Sequence, residues 1–248
     1  MAKYYGTFLN TLGSIILKFH GRIVKNIGDS LLYYFPEGTT QSQFVRCLEC
    51  NLSMLQAHTY LNSKLRCQGL PSLDYRVSSD YGTVAIAKTV LMTEDIFGQP
   101  VNICAKINSL ARPNSLVIGS DFYEVVRNLE CYKFEGIRSF SSGLKNSYPV
   151  YSVTYDESKI KKIVGKCIEK ALMQMSTANF ETVVKHLFEK YDCLLSDCYT
   201  RPQCLRDVLV DLYGNASASI MQNIRQQIET CAVPRTISRL ACFEDQHI

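Results

Sequence analysis

The chain has 248 residues, 46% of them hydrophobic, with 27 basic against 23 acidic side chains; this suits one large or two ordinary globular domains and excludes a disordered or collagen-like chain. No apolar run approaches the roughly 18 residues needed to cross a bilayer, and the start lacks the basic and continuous apolar segments of a signal peptide, so a cytoplasmic location without a membrane span is expected. Residues 1–155 carry 15 basic and 11 acidic groups while residues 156–248 carry 12 of each, so the first part suits an anionic ligand and the second has no nucleic-acid signature.

Phe8, Leu9, Leu12, Ile15, Ile16 and Phe19 recur at helical spacing and predict an amphipathic helix ending near His20 and Gly21. Arg22 to Ile27 and Ser30 to Phe35 are two β-rich runs joined by Gly28-Asp29, a pair suited to a tight hairpin turn. The helical period returns from Phe44 to Leu65 and stops at Gly69-Leu70-Pro71. Leu73 to Val77 and Thr83 to Val90 are strand-like, and Asp80-Tyr81-Gly82 between them predicts a second hairpin. A helix from about Val101 to Ala111 opens at Pro100 and closes before Arg112-Pro113. Ser115 to Gly119 reads as a strand, and Asp121 to Glu124 has capping-box spacing for a short helix. Tyr132 to Glu135 and Pro149 to Tyr155 read as closing strands. The pattern is that of an α+β domain over residues 1–155.

Beyond Tyr155 the strand signals stop. Helical stripes beginning at Ile160, Phe180, Leu205 and Ile220 predict four helices. They form an all-α domain over residues 158–248, its helices ending by residue 233, with Asp156-Glu157-Ser158 as the boundary. The 11 cysteines are odd in number and mostly embedded in apolar helical patterns, which suits reduced thiols better than a disulfide framework. Cys47 and Cys50 read as core residues. Cys193, Cys198 and Cys204 cluster near Asp192, Asp197 and His186, yet their spacing matches no zinc pattern. His20, His58 and His247 form no nucleophile or base arrangement.

Three stretches fall in a telling order: Val24-Lys-Asn-Ile-Gly-Asp29-Ser, Tyr75-Arg-Val-Ser-Ser-Asp-Tyr-Gly82-Thr-Val, and Asp95-Ile-Phe-Gly-Gln-Pro-Val-Asn102-Ile-Cys-Ala-Lys106. Together they make the first domain resemble a class III nucleotidyl cyclase, of ferredoxin-like fold. The resemblance implies a signalling enzyme converting ATP to cyclic AMP and pyrophosphate through two Mg2+ or Mn2+ ions. Asp29 takes the position of a metal carboxylate at the hairpin tip, where a hard cation finds a short oxygen ligand. Lys25 and Asp95 take the base-reading positions. Lysine only donates and an ionised aspartate only accepts, which matches the N1 acceptor and amino donor of adenine and opposes guanine, so ATP is preferred over GTP. Asn102 and Lys106, four apart on one helix face, take the ribose-orienting and transition-state positions.

Two departures accompany the resemblance. Lys106 stands where the family carries arginine, keeping the charge without the planar fork. The family's first strand, with a Phe-x-Asp-Ile-x-Gly-Phe-Thr pattern and the second metal carboxylate, precedes the opening helix, and the chain starts after that point; neither Asp74 nor Asp80 replaces it. Weak or absent catalysis by the chain as it stands is therefore expected. Open alternatives are a fragment, a displaced start, a half that pairs with a complete partner, and a noncatalytic nucleotide-sensing or dimerisation module. The resemblance implies a homodimer, or pairing with another cyclase domain, with the site shared across the two-fold. Asp197-Cys-Tyr and Asp211-Leu-Tyr-Gly214 make the helical domain resemble the output domains of archaeal sensory proteins.

Overall fold

Helix α1 (Ala2–Lys18) buries Phe8, Leu12 and Ile16, the predicted stripe, and ends where His20 takes a left-handed φ of 63°. The computed structural model describes residues 2–36, 41–88, 94–141 and 147–231. The chain divides into two compact units, Met1–Thr154 and Tyr155–Ile248.

Strands β1 (Arg22–Ile27) and β2 (Ser30–Tyr34) pair antiparallel as predicted, and Gly28 supplies the φ of 63° that the two-residue turn requires. The long helix α2 (Gln41–Cys67) buries Leu48, Leu52, Met54, Leu61 and Leu65. Each such side chain removed from water stabilises the unit by about 1.5–3 kcal/mol before entropy is counted. The helix closes at Gly69, with the Leu70 amide donating to the Leu65 carbonyl.

The next segment corrects the sequence reading. Strand β3 is Arg76–Ser79 rather than Leu73 to Val77. Its start is delayed because Asn62 Oδ1 accepts from the Leu73 amide at 2.9 Å, and Asn114 binds both the carbonyl and the amide of Tyr75. The backbone groups of Leu73 and Tyr75 thus have partners outside a ladder. The predicted hairpin of β3 with the following strand does not form. Strand β4 (Ala85–Lys88) pairs antiparallel with β5 (Glu94–Phe97), while β3 pairs in parallel with β6 (Ser115–Gly119). Residues 89 and 90 of the predicted strand lie outside the described residues, as do residues 232–248 with His247.

Helix α3 (Gln99–Asn108), with Pro100 in its first turn, supplies the crossover between the parallel strands. Its Ile103 and Ile107 pack with Ala111, Val117 of β6 and Val150. Helix α4 (Ser120–Val126) is capped by Gly119, without a side-chain cap bond, so the expected capping box at Asp121 is not made. Strands β7 (Tyr132–Ser141) and β8 (Ser147–Tyr155) complete a four-stranded sheet of order β3-β6-β8-β7, with Leu116 opposite Val153 and Ile118 opposite Tyr151. Among the described residues the β1–β2 and β4–β5 pairs are separate two-stranded sheets. A buried side-chain bridge ties the first of them to the larger sheet. The Tyr33 hydroxyl of β2 donates to Asn51 Oδ1 and Asn51 Nδ2 donates to Ser79 Oγ of β3, both at 2.7 Å.

The second unit contains the four predicted helices: α5 (Glu157–Met173), α6 (Thr177–Tyr191), α7 (Pro202–Tyr213) and α8 (Ser217–Thr230). Asp156 caps α5 by accepting from the Lys159 amide, and Ser176 caps α6 by accepting from the Asn179 amide. Buried Ile160, Val164, Ile168 and Leu172 of α5, with Ile220, Ile224 and Ile228 of α8, build its core.

Candidate active site

The β1 ladder shifts register between Ile23 and Lys25, leaving Val24 without a cross-strand partner. Such a bulge increases twist and re-aims the following side chain. That side chain is Lys25, whose Nζ lies 2.5 Å from Oδ2 of Asp95, 70 residues away on β5. Oδ1 of Asp95 accepts from the Ile96 amide at 2.9 Å. The Lys25 hydrogen bond, aided by that amide, holds the Asp95 carboxyl below its usual range despite some desolvation. Both groups remain open to solvent, at 44% and 24% side-chain exposure. The pair therefore has free donors on Lys25 and free lone pairs on Asp95 for a ligand edge.

Strand β5 runs directly into α3, which carries Asn102 and Lys106 on an exposed face. Helix α3 is fixed to β3 through Ser78, which lies in the Tyr75-to-Val84 stretch but has no role assigned to it there. Its hydroxyl donates to the Cys104 carbonyl at 3.0 Å and accepts from Asn108 Nδ2 at 3.1 Å, while the Cys104 thiol donates to the Ser78 carbonyl at 3.3 Å. The local signal is the polar pair Ser78-Ser79 following Val77 in a strand, which requires partners if buried.

Asp29 is exposed at the tip of the β1–β2 hairpin, beside Gly28. Among the described residues no three His, Cys, Asp or Glu side chains converge to hold a metal ion. A solvated short carboxylate still suits a magnesium or manganese ion, which takes one or two carboxylates and draws its other ligands from phosphate oxygens and water. The structure thus joins Lys25 to Asp95, places Asn102 and Lys106 on the helix that follows Asp95, and sets Asp29 at the tip of the strand pair that carries Lys25. Asp74 and Asp80 are engaged elsewhere. Asp74 binds Asn114 and His58, and both carboxylate oxygens of Asp80 accept from the Tyr148 hydroxyl at 2.9 Å.

Burial raises the Asp80 carboxyl from 3.8 to about 6. The folded state thus holds this proton more tightly than the unfolded chain, and stability falls as pH rises from about 4 to about 6, then levels. Asp80→Asn mimics the protonated acid. It should flatten this slope and stabilise the protein at pH 7 by on the order of 1 kcal/mol, allowing for partial solvent screening, in urea melts at pH 4, 5, 6 and 7.

Of the cysteines singled out, Cys50, Cys193, Cys198 and Cys204 are buried and Cys47 half-buried; burial pushes the Cys47 thiol up to about 12. The Cys193 and Cys198 thiols both donate to the Leu194 carbonyl.

The family described as the adenylate and guanylate cyclase catalytic domain matches residues 3–150. An adenylate cyclase of Anabaena cylindrica is 27% identical over 153 residues, covering 58% of this chain, and the chain spans 29% of that protein's length. Among solved structures, the adenylyl cyclase CyaB from P. aeruginosa superposes with a TM-score of 0.54 at 20% identity, covering 62% of this chain and 81% of the other. The guanylyl cyclase Cya2 superposes with a TM-score of 0.52 at 18% identity, covering 61% and 79%. These two structures share the fold of the first unit. No helix among the described residues is long and apolar enough to cross a membrane.

Proposed function

The chain belongs, through residues 3–150, to the adenylate and guanylate cyclase catalytic domain family, and from that premise we propose that it is a signalling protein whose first unit binds ATP in an adenylate-cyclase-type half-site. The observation that carries this reading is the Lys25–Asp95 pair, two residues 70 apart in sequence held at 2.5 Å with donors and acceptors to spare. Lys25 donates to N1 of adenine and Asp95 accepts from its amino group. Asn102 orients the ribose, and Lys106 offsets charge on the α-phosphoryl group as the ribose 3′-oxygen attacks and pyrophosphate leaves. Asp29 would hold magnesium or manganese. Such ions neutralise the triphosphate and stabilise the attacking and leaving oxygens. The site is shared in a homodimer, or with another cyclase domain, with Asp29 of one subunit serving Asn102 and Lys106 of the other. The name of the Anabaena relative supports ATP as the nucleotide.

In this reading catalysis is weak, because the Lys106 ammonium is a point charge without the two-pronged grip of a guanidinium. That substitution also favours a second reading, a noncatalytic nucleotide-sensing or dimerisation module. The helical unit, residues 158–248, acts as an output or regulatory domain, and the protein works in the cytoplasm.

Calorimetric titration of the full chain with ATP and GTP tests the proposal. ATP should bind at least about tenfold more tightly, because an unmatched polar base edge costs about 1–3 kcal/mol, and Lys25→Glu should erase most of that difference. Equal dissociation constants would overturn it. Cyclic AMP assays on the same samples separate slow turnover from the noncatalytic reading.

A further inference from the structure

The second unit contains a cysteine pair unlike the buried cluster around Leu194. Cys167, in the middle of α5, and Cys231, at the C-terminal cap of α8, are 64 residues apart, and their Sγ atoms lie 2.9 Å from each other. Cys167 is 3% exposed, packed beside the Val164 and Ile168 stripe, whereas Cys231 is partly open to solvent. Cys231 is thus the more exposed residue of the pair, and Cys167 meets it from the core side.

We propose that Cys167 and Cys231 form an oxidisable dithiol, converted by a low-molecular-weight disulfide into an intramolecular bond that staples α8 to α5. Cys231 is the attacking thiol, since burial and its sulfur neighbour push the Cys167 thiol up to about 12. The Cys231 thiolate attacks one sulfur of the reagent, forms a mixed disulfide and expels one thiolate. Cys167 then passes its proton to solvent and attacks the Cys231 sulfur, which expels the second thiolate. Two protein thiols are oxidised and one reagent disulfide is reduced to two thiols. Closure from 2.9 Å to the roughly 2.05 Å of a sulfur–sulfur bond needs a movement of under about 1 Å.

The bond would close a loop containing the rest of α5, all of α6 and α7, and α8. It would also anchor the end of α8, where the Cys231 amide donates to the Gln227 and Ile228 carbonyls in the last turn. Cross-linking a loop of this length constrains the unfolded chain strongly, so oxidation should raise the thermal midpoint of the transition that unfolds the helical unit by ~10 °C, reversibly with dithiothreitol.

The test treats the full chain with oxidised glutathione at graded ratios to reduced glutathione, followed by tryptic mapping without reduction. The expected product joins peptide 167–170 to peptide 226–235 with loss of two hydrogen atoms. Cys167→Ser should instead hold glutathione on Cys231, and Cys231→Ser should leave Cys167 as a thiol. Persistent glutathione on Cys231 of the unmodified chain, a link from Cys231 to another cysteine, or both residues remaining thiols at ratios that oxidise a control dithiol would each overturn the proposal.

Discussion

Asn51→Ala should lower the stability of the first unit by about 3 kcal/mol, a fall of ~10 °C in its thermal midpoint. Asn51 is fully buried on α2, where its amide accepts from the Tyr33 hydroxyl and donates to Ser79 Oγ. Truncation removes one hydrogen-bond partner from each of two hydroxyls, those of Tyr33 and Ser79, and leaves a buried void the size of the lost amide. Tyr33 is sensitive to this loss: burial, followed by the nearby Cys50 and Cys47 thiols, raises its hydroxyl well above the usual value, so it cannot relieve the loss of its acceptor by ionising. Tyr33→Phe alone should cost only about 1 kcal/mol, and the double variant should be less unstable than the sum of the two. Urea melts of the four proteins would show this. A change below about 1 kcal/mol for Asn51→Ala would mean the bridge carries little of the fold's stability.

The second large effect is expected at Gly119, the last residue of β6. Its backbone, φ −77° and ψ 165°, suits any residue, so a substitution is resisted by space alone. A Cβ there would fall 2.7 Å from Asp80 Cγ, closer still to one of its oxygens, and 2.8 Å from Tyr148 Oη. Gly119→Ala must displace a half-buried carboxylate or break its bond to the Tyr148 hydroxyl, at a cost of about 2–3 kcal/mol. Removing the carboxylate as well, with Asp80→Ala, should restore at least about 1 kcal/mol relative to additivity. Strict additivity in denaturant melts would show that the clash is relieved elsewhere.

The elements that local chemistry controls were legible. The Gly28-Asp29 turn, the Pro100 start of α3 and the four stripes of the helical unit all lie at the positions their residues indicated. Partnership between strands beyond the β1–β2 hairpin was not legible. Strand β3 lies parallel to β6 across a crossover, and nothing in Arg76–Ser79 encodes a partner 39 residues further on. Strand β5 was missed because Glu94 and Asp95 weaken an otherwise strand-like Ile-Phe pair; it is held by pairing with β4 and, at Asp95, by Lys25. For the candidate site, each residue type was readable from the motifs. The approach of Lys25 to Asp95 depends on the bulge at Val24 and on the β4–β5 pairing, both properties of the assembled fold. At Ser78 a polar pair in a strand signals that partners are needed, but not that α3 supplies them.

The two-stranded sheets β1–β2 and β4–β5 each have a single ladder among the described residues, whereas β6 is hydrogen-bonded on both sides. Narrow ribbons open locally at a small fraction of the free energy needed to expose a central strand. Amide protons of residues 25–32 and 94–97 should therefore exchange with deuterium well before those of residues 116–118. Because Lys25 sits on one ribbon and Asp95 on the other, a base that bridges the two would clasp both at once, and the slowing of exchange in these segments on adding nucleotide would report occupancy.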